Sequence, residues 1–121
     1  VYHEETDVYG VVHHANFLRY FERGRVEYMR HLGFDLHHVQ QEKGLLFPIA
    51  AVTLDYQKPA CLDDELTVIT RPKKIKQCSI VFEQIVKRDT VSLCVADIVA
   101  VCTDKQLKVQ SLPNQLKESM A

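Results

Sequence analysis

One helix-like segment followed by nothing but strand-like pattern from Leu46 onward is the feature that most limits what this chain can fold into. Residues 47–57, 65–76, 78–88 and 91–103 are long runs rich in β-branched and aromatic side chains. They are broken by residues 59–64, by the stretch at 75–77 and by Arg88-Asp89-Thr90. In the last run both alternating sets are largely apolar: Cys94, Ala96, Ile98, Ala100 and Cys102 on one side, Leu93, Val95, Val99 and Val101 on the other. Such a strand belongs in the middle of a sheet with both faces covered. The order of the runs predicts successive antiparallel pairing, a meander.

The helical pattern begins after Gly10 and continues to about Leu32. Phe17, Phe21, Gly24, Tyr28 and Leu32 fall on one stripe, at spacings of four, three, four and four. Ala15, Leu18, Val26 and Met29 widen the apolar surface, so the helix reads as wrapped on most sides. Arg19, Arg23, Glu27 and Arg30 gather on the remainder, with Arg23 and Glu27 at pairing distance. Gly33 stands where a left-handed C-cap is expected, and Asp35 suits the start of a short helix over residues 36–43, closed by Gly44. A segment at Leu107-Lys108-Val109 and a helical turn over residues 114–120 complete the chain. One long helix followed by four or five antiparallel strands implies a curved sheet wrapped around that helix, an α+β arrangement of the hot-dog kind. With 121 residues there is room for a single domain, residues 1–121, and Val1 reads as the interior of a first strand whose start is missing.

Fifteen Lys and Arg balance 16 Asp and Glu, a net charge of -1, so no basic field announces nucleic acid or an anionic membrane. No run approaches the roughly 18 apolar residues of a membrane span. Cys61, Cys78, Cys94 and Cys102 are far apart and form no C-x-x-C. They read as reduced thiols rather than a zinc site or disulfide framework, which favours a cytoplasmic setting. His3, His31, His37 and His38 have no metal-like spacing with Cys or carboxylates.

The chemistry concentrates in Glu5-Thr6-Asp7-Val8-Tyr9-Gly10-Val11-Val12-His13-His14-Ala15-Asn16-Phe17-Leu18. Here a carboxylate sits in a Gly-containing loop that opens onto the helix. Asp7 can attack a carbonyl or activate water, and the first amides of the helix, lacking intrahelical acceptors, can hold an oxyanion. The competing reading of Asp7 is a turn former. Gly10 permits positive φ or close approach of a ligand. The weight on His14 falls on its backbone N–H rather than its ring. His13 reads as a pocket or capping residue, and Asn16 as a cap or as an amide holding the Asp7 loop. Arg71, Lys73, Lys74 and Lys76 form a local basic run and Lys87-Arg88 another.

The stretch Thr6-Asp7-x-x-Gly10-Val11-Val12-x-His14-Ala15-Asn16-Phe17 resembles the signature of the 4-hydroxybenzoyl-CoA thioesterase family, in particular its Tol-Pal-associated acyl-CoA thioesterases. The similarity continues through Phe21-Glu22-Arg23, Asp55-Tyr56-x-Lys58-Pro59-Ala60, Leu62-Asp63-Asp64 and Ser111-Leu112-Pro113. It implies a hot-dog fold that dimerises through its sheets, often as a dimer of dimers, with active sites between subunits. It implies hydrolysis of acyl-CoA to acid and CoA, with Asp7 as the catalytic carboxylate and the His14 amide on the thioester carbonyl. Val11, Val12, His13, Asn16 and Phe17 then line the substrate site beside Gly10, and no metal or redox cofactor is expected. Val8-Tyr9 replaces smaller residues and His13 a common aromatic, changes that bear on the acyl pocket. Val8, Tyr9, Phe17, Phe47 and Pro48 are the candidate pocket formers.

Coenzyme A carries phosphates that need cations, and Lys74 and Lys76 are the candidates for them. Acyl carrier protein is the other thioester carrier such a site can serve. The alternative function is a non-catalytic module that binds acyl-CoA or acyl carrier protein, since one fold hosts several functions. A hot-dog dehydratase would need a Gly-His-Phe-Pro-like segment, and the chain has none.

Overall fold

The structure is a computed structural model that describes all 121 residues. After a short 3-10 turn at His3–Glu5 come α1 (Asn16–His31), α2 (Leu36–Lys43), β1 (Ile49–Tyr56), β2 (Thr67–Ile75), β3 (Ser79–Arg88), β4 (Val91–Val101) and α3 (Asn114–Met120). The strands form one antiparallel sheet in the order β1-β4-β3-β2. The meander holds for β2, β3 and β4 and fails at β1. That strand crosses the sheet and pairs with β4, with Tyr56 opposite Cys94, Leu54 opposite Ala96 and Val52 opposite Ile98. The reason lies in the connections. β3 and β4 join through a tight turn, whereas the long segment after Tyr56 is free to carry the chain to the opposite edge. β4, largely apolar on both alternations, thereby gains a neighbour on each side.

The expected first strand is also replaced: Val1 lies in coil, its amine donating to the Asp64 carbonyl and its carbonyl accepting from Asp63 N–H. No helix is long and apolar enough to cross a membrane.

α1 lies on the inner face of the sheet and divides the interior into two apolar clusters. Beneath its first half, Phe17, Tyr20 and Phe21 pack with Val12, Ala60, Val86, Leu93, Cys94, Ala96 and Ile98. Beneath its end, Met29 packs with Phe34 and Val39 of the α2 region, Ile80, Phe82, Ala100 and Cys102 of the sheet, and Leu112, Leu116 and Met120 around α3. Gln84, wholly buried, separates them on β3. Its Nε2 donates to the Phe21 carbonyl and to Thr70 Oγ1, both at 2.8 Å, and its Oε1 accepts from Arg25 at 3.0 Å. The helix comes this close because residue 24 is glycine. A Cβ there would stand 2.8 Å from both Thr70 Oγ1 and Val68 Cγ1.

The helix ends are those the sequence implies. Phe34 N–H reaches back to the Met29 carbonyl across left-handed Gly33 (φ +88°), the six-to-one bond of a Schellman cap. Asp35 caps α2 by accepting from His37 and His38 N–H. Two surface expectations need correction. Glu27 pairs with Arg30 instead of Arg23, one turn onward on the same face. Leu18 is 41% exposed, so α1 is not wrapped on that side. The outer face of β4 is likewise only half-covered: Val95, Val99 and Val101 share it with Val81 and Ile85 and with the Lys73–Asp97 ion pair at 2.8 Å.

Candidate active site

Residues 5–13 form a small hairpin whose turn is Asp7-Val8-Tyr9-Gly10. Thr6 and Val12 face one another across it, with Asp7 N–H donating to the Val11 carbonyl at 2.8 Å and His13 N–H to the Glu5 carbonyl at 2.9 Å. Gly10 N–H closes the turn on the Asp7 carbonyl at 3.1 Å, with Asp at the first and Gly at the fourth position as such turns favour. Gly10 has φ +78°, which a residue with a Cβ adopts only at a cost, and the space beside it is open. Asp7 Oδ1 accepts from Tyr9 N–H at 2.8 Å. The turn-former reading of Asp7 is therefore correct as far as one oxygen goes. That bond also fixes the carboxylate's direction and leaves Oδ2 uncommitted within the chain.

The other half of the site is the N-terminus of α1. Ala15 N–H donates to His13 Nδ1 at 3.2 Å and Asn16 N–H to the His13 carbonyl at 2.9 Å. The His14 N–H has no acceptor in the chain. His14 lies two residues ahead of Asn16, at the positive end of the helix dipole. The His13 and His14 rings stack on each other at 4.3 Å between centroids, both exposed, so neither ring is buried against the core.

Several contacts hold the two halves together. Asn16 does not cap the helix; its Nδ2 donates to the Glu5 carbonyl at 2.9 Å, so it pins the hairpin to the first turn of α1. The Glu5 carboxylate accepts from the Tyr20 hydroxyl one turn further along. Burial first, then this bond to the carboxylate, pushes the Tyr20 phenol well above its ordinary value, so it stays a donor. Tyr56 at the end of β1 donates to the His14 carbonyl at 3.0 Å and packs edge-on against Phe17.

Behind the turn, Val12 N–H donates to the Ala60 carbonyl at 2.7 Å. The residue 59–64 loop is itself held by Asp64, whose Oδ2 accepts from Cys61 N–H at 2.8 Å and Arg88 Nη1 at 2.7 Å.

Asp7, Gly10, Val11, Val12, His13, His14, Asn16 and Phe17 are thus brought together, with Val12 and Phe17 buried beneath the site and the rest around its rim. Lys74 and Lys76 are not: they lie at the far end of β2, the edge of the sheet opposite β1, with Lys74 facing Val81. Glu5, Tyr20 and Arg88 escape sequence reasoning, because each acts through a partner distant in the chain. The Asp55-Tyr56 and Leu62-Asp63-Asp64 motifs did mark two of the supporting residues.

A single curved antiparallel sheet carrying one central helix, with a carboxylate turn set against that helix's N-terminus, defines a hot-dog protein of the thioesterase type. The thioesterase-like superfamily model matches residues 1–120, and the chain belongs to that family. It is 39% identical over 118 residues to the acyl-CoA thioesterase YbgC of Haemophilus influenzae, covering 97% of this chain and 87% of that one. It is 31% identical over 114 residues to a putative esterase of Aquifex aeolicus, covering 94% and 88%. Among solved structures, a probable thioesterase from Bartonella henselae superposes with a TM-score of 0.90 at 31% identity, over 93% of this chain and 94% of that one. A hypothetical protein from Thermus thermophilus superposes with a TM-score of 0.92 at 27% identity, over 99% and 92%.

Proposed function

We propose that the chain hydrolyses acyl-CoA thioesters to the free acid and CoA, with Asp7 as nucleophile or general base and the His14 N–H as oxyanion donor. The observation that carries this reading is a carboxylate oxygen left uncommitted by its own turn together with an amide just ahead of α1 that has no acceptor in the chain.

A thioester places its carbonyl oxygen on that amide, where negative charge grows as the carbon becomes tetrahedral. The carboxylate delivers either its own oxygen, giving a mixed anhydride that water then opens, or a water molecule from which it takes a proton. The CoA thiol, with a pKa near that of a free cysteine at about 8.5, leaves without a general acid.

The site stands on the rim of the chain rather than in a closed cleft, and β1 leaves one edge of the sheet unpaired beside it. Both features fit an assembly, a homodimer or homotetramer, in which a second chain encloses the substrate. Lys74 and Lys76, remote from Asp7 of their own chain, then serve CoA phosphates at a neighbouring chain's site. Four cysteines, none paired with another, fit a cytoplasmic enzyme.

The test is thiol release from short, medium, long and aromatic acyl-CoAs by the wild type and Asp7→Asn. Hydrolysis that falls by at least about a thousandfold in kcat/KM in a folded variant is the expected result for loss of a transition-state group. Equal turnover by the two proteins overturns the role of Asp7. Tight binding with no turnover by the wild type identifies a binding module instead.

A further inference from the structure

α1 packs on β2 and β3, and residues of α1 and β1 together line a groove. At one end Tyr56 of β1 meets His14 at the start of the helix. Next comes a cavity of about 320 Å³ walled by Leu18 and Glu22 of the helix and floored by Ile49, Val52 and Ile98. A second cavity, about 270 Å³, continues it past Met29 to Leu36, Phe47 and Pro48. Arg25, Glu22 and Ile49 belong to both. Phe47 and Pro48, candidate pocket formers in the sequence, therefore line the deep end. Phe17 lies at the other end against Tyr56.

Arg25 is the oddity of this groove. It is partly buried in a mainly apolar lining that also carries Glu22 and, in the first cavity, Arg19, and no carboxylate lies within ion-pair distance of it. Its one hydrogen-bond partner is the neutral Gln84 Oε1 at 3.0 Å. Burial lowers its pKa, and only the more distant charge of Glu22 opposes that. Gln84, clamped by Phe21 and Thr70, holds the guanidinium in place and occupies one of its five N–H groups. The others remain available to an acceptor entering the groove. A partly desolvated cation kept without a counter-charge costs stability, and a ligand oxygen would recover it.

We propose that Arg25 selects the acyl group, by favouring a chain that carries an oxygen acceptor, a carboxylate or a hydroxyl, at its far end. The inference rests on the thioesterase reading. The thioester sits at His14, the chain runs down the groove, and nine residues of helix from Asn16, at ~1.5 Å each, set Arg25 about 14 Å beyond the helix start. That reach suits a chain of medium length, and excludes a short acyl group from the guanidinium. A terminal hydroxyl has a further partner in Glu22, whose carboxylate accepts a hydrogen bond from it, whereas a carboxylate is repelled there.

The experiment compares CoA thioesters of equal medium length ending in methyl, hydroxyl or carboxylate, using the wild type, Arg25→Gln, Arg25→Lys and Glu22→Gln. Arg25→Gln removes the cation and keeps an N–H for Gln84, so the fold is preserved. The expected result is at least a tenfold preference in kcat/KM for an oxygenated chain over the methyl chain in the wild type. That preference collapses in Arg25→Gln and is partly kept in Arg25→Lys. Loss of the hydroxyl preference in Glu22→Gln with the carboxylate preference intact or raised assigns the hydroxyl as the source; preference for carboxylate alone assigns the other.

Equal rates for all three chains in the wild type, or a preference unchanged in Arg25→Gln, overturns the proposal while leaving the hydrolase intact. So does an Arg25→Gln protein that changes its oligomeric mass and not its preference, since the guanidinium then serves a contact between chains. Absence of hydrolysis with every thioester overturns the thioesterase reading itself.

Discussion

The two apolar clusters beneath α1 are alike in size and opposite in what they support. The first is assembled from pieces far apart in sequence, Val12 and Ala60 from loops, Phe17, Tyr20 and Phe21 from the helix, and Val86 to Ile98 from the sheet. Two of those pieces, Val12 and Phe17, belong to the site's own hairpin and first helical turn. The second cluster joins the end of α1 to α2, α3 and the other end of the sheet, and contributes nothing to the Asp7 turn or its supports. The difference teaches where rigidity is needed for chemistry. A half-buried carboxylate and an amide on an exposed residue stay in register because the surfaces behind them are packed.

Truncation separates the two regions. Phe21→Ala removes a fully buried ring from the first cluster, and should cost about 3–5 kcal/mol in denaturant unfolding. It should also lower kcat/KM in the fraction that stays folded. Leu116→Ala empties a fully buried site in the second cluster, at about 2–5 kcal/mol, with kcat/KM per folded molecule unchanged. Unfolding midpoints and active-site-normalised rates, both at fixed protein concentration, decide it. If Leu116→Ala lowers the specific rate as much as Phe21→Ala does, the two clusters are one mechanical unit and the contrast fails.

A smaller change sharpens the contrast within the first cluster. Tyr20→Phe keeps the ring and deletes the hydroxyl that reaches Glu5. The stability loss should be about 1 kcal/mol, the usual worth of one hydrogen bond. If the bond positions the Asp7 hairpin, kcat falls severalfold with KM little changed. A purely structural hydroxyl would alter the unfolding midpoint and leave that split untouched.

Much of this fold was legible because its signals are local. The Phe17 to Leu32 stripe, the Gly33 and Asp35 caps and the four strand runs each depend on neighbours in sequence, and all of them formed. The position of β1 was not legible, since the pairing of Val52 with Ile98 is a choice made across more than a third of the chain. The same division runs through the site. Asp7, Gly10 and His14 stand out in one short motif, whereas the Glu5–Tyr20 bond joins residues fifteen apart and the Gln84–Arg25 bond residues 59 apart. Arg23 and Glu27 show the reverse error, a local rule outvoted: Glu27 had Arg30 equally near on the helix and took it.

The least of the expected effects concerns the loop behind the Asp7 turn. Asp64 is held below the ordinary carboxylate range, first by the hydrogen bond from Cys61 N–H and then by Arg88. A carboxyl whose folded pKa lies below its unfolded value, about 3.9, stabilises the fold above that value, and the contribution is lost as pH falls through the folded pKa. Asp64→Asn should therefore be less stable than the wild type at neutral pH, with the gap narrowing steadily below about pH 4. Because Ala60 of this loop accepts the Val12 N–H, the variant should also loosen the hairpin, seen as faster amide exchange at Val12 than at any residue of α3. A gap that stays constant from pH 7 to pH 3 would mean that the loop is held by its backbone and packing alone, with the Asp64 charge a bystander.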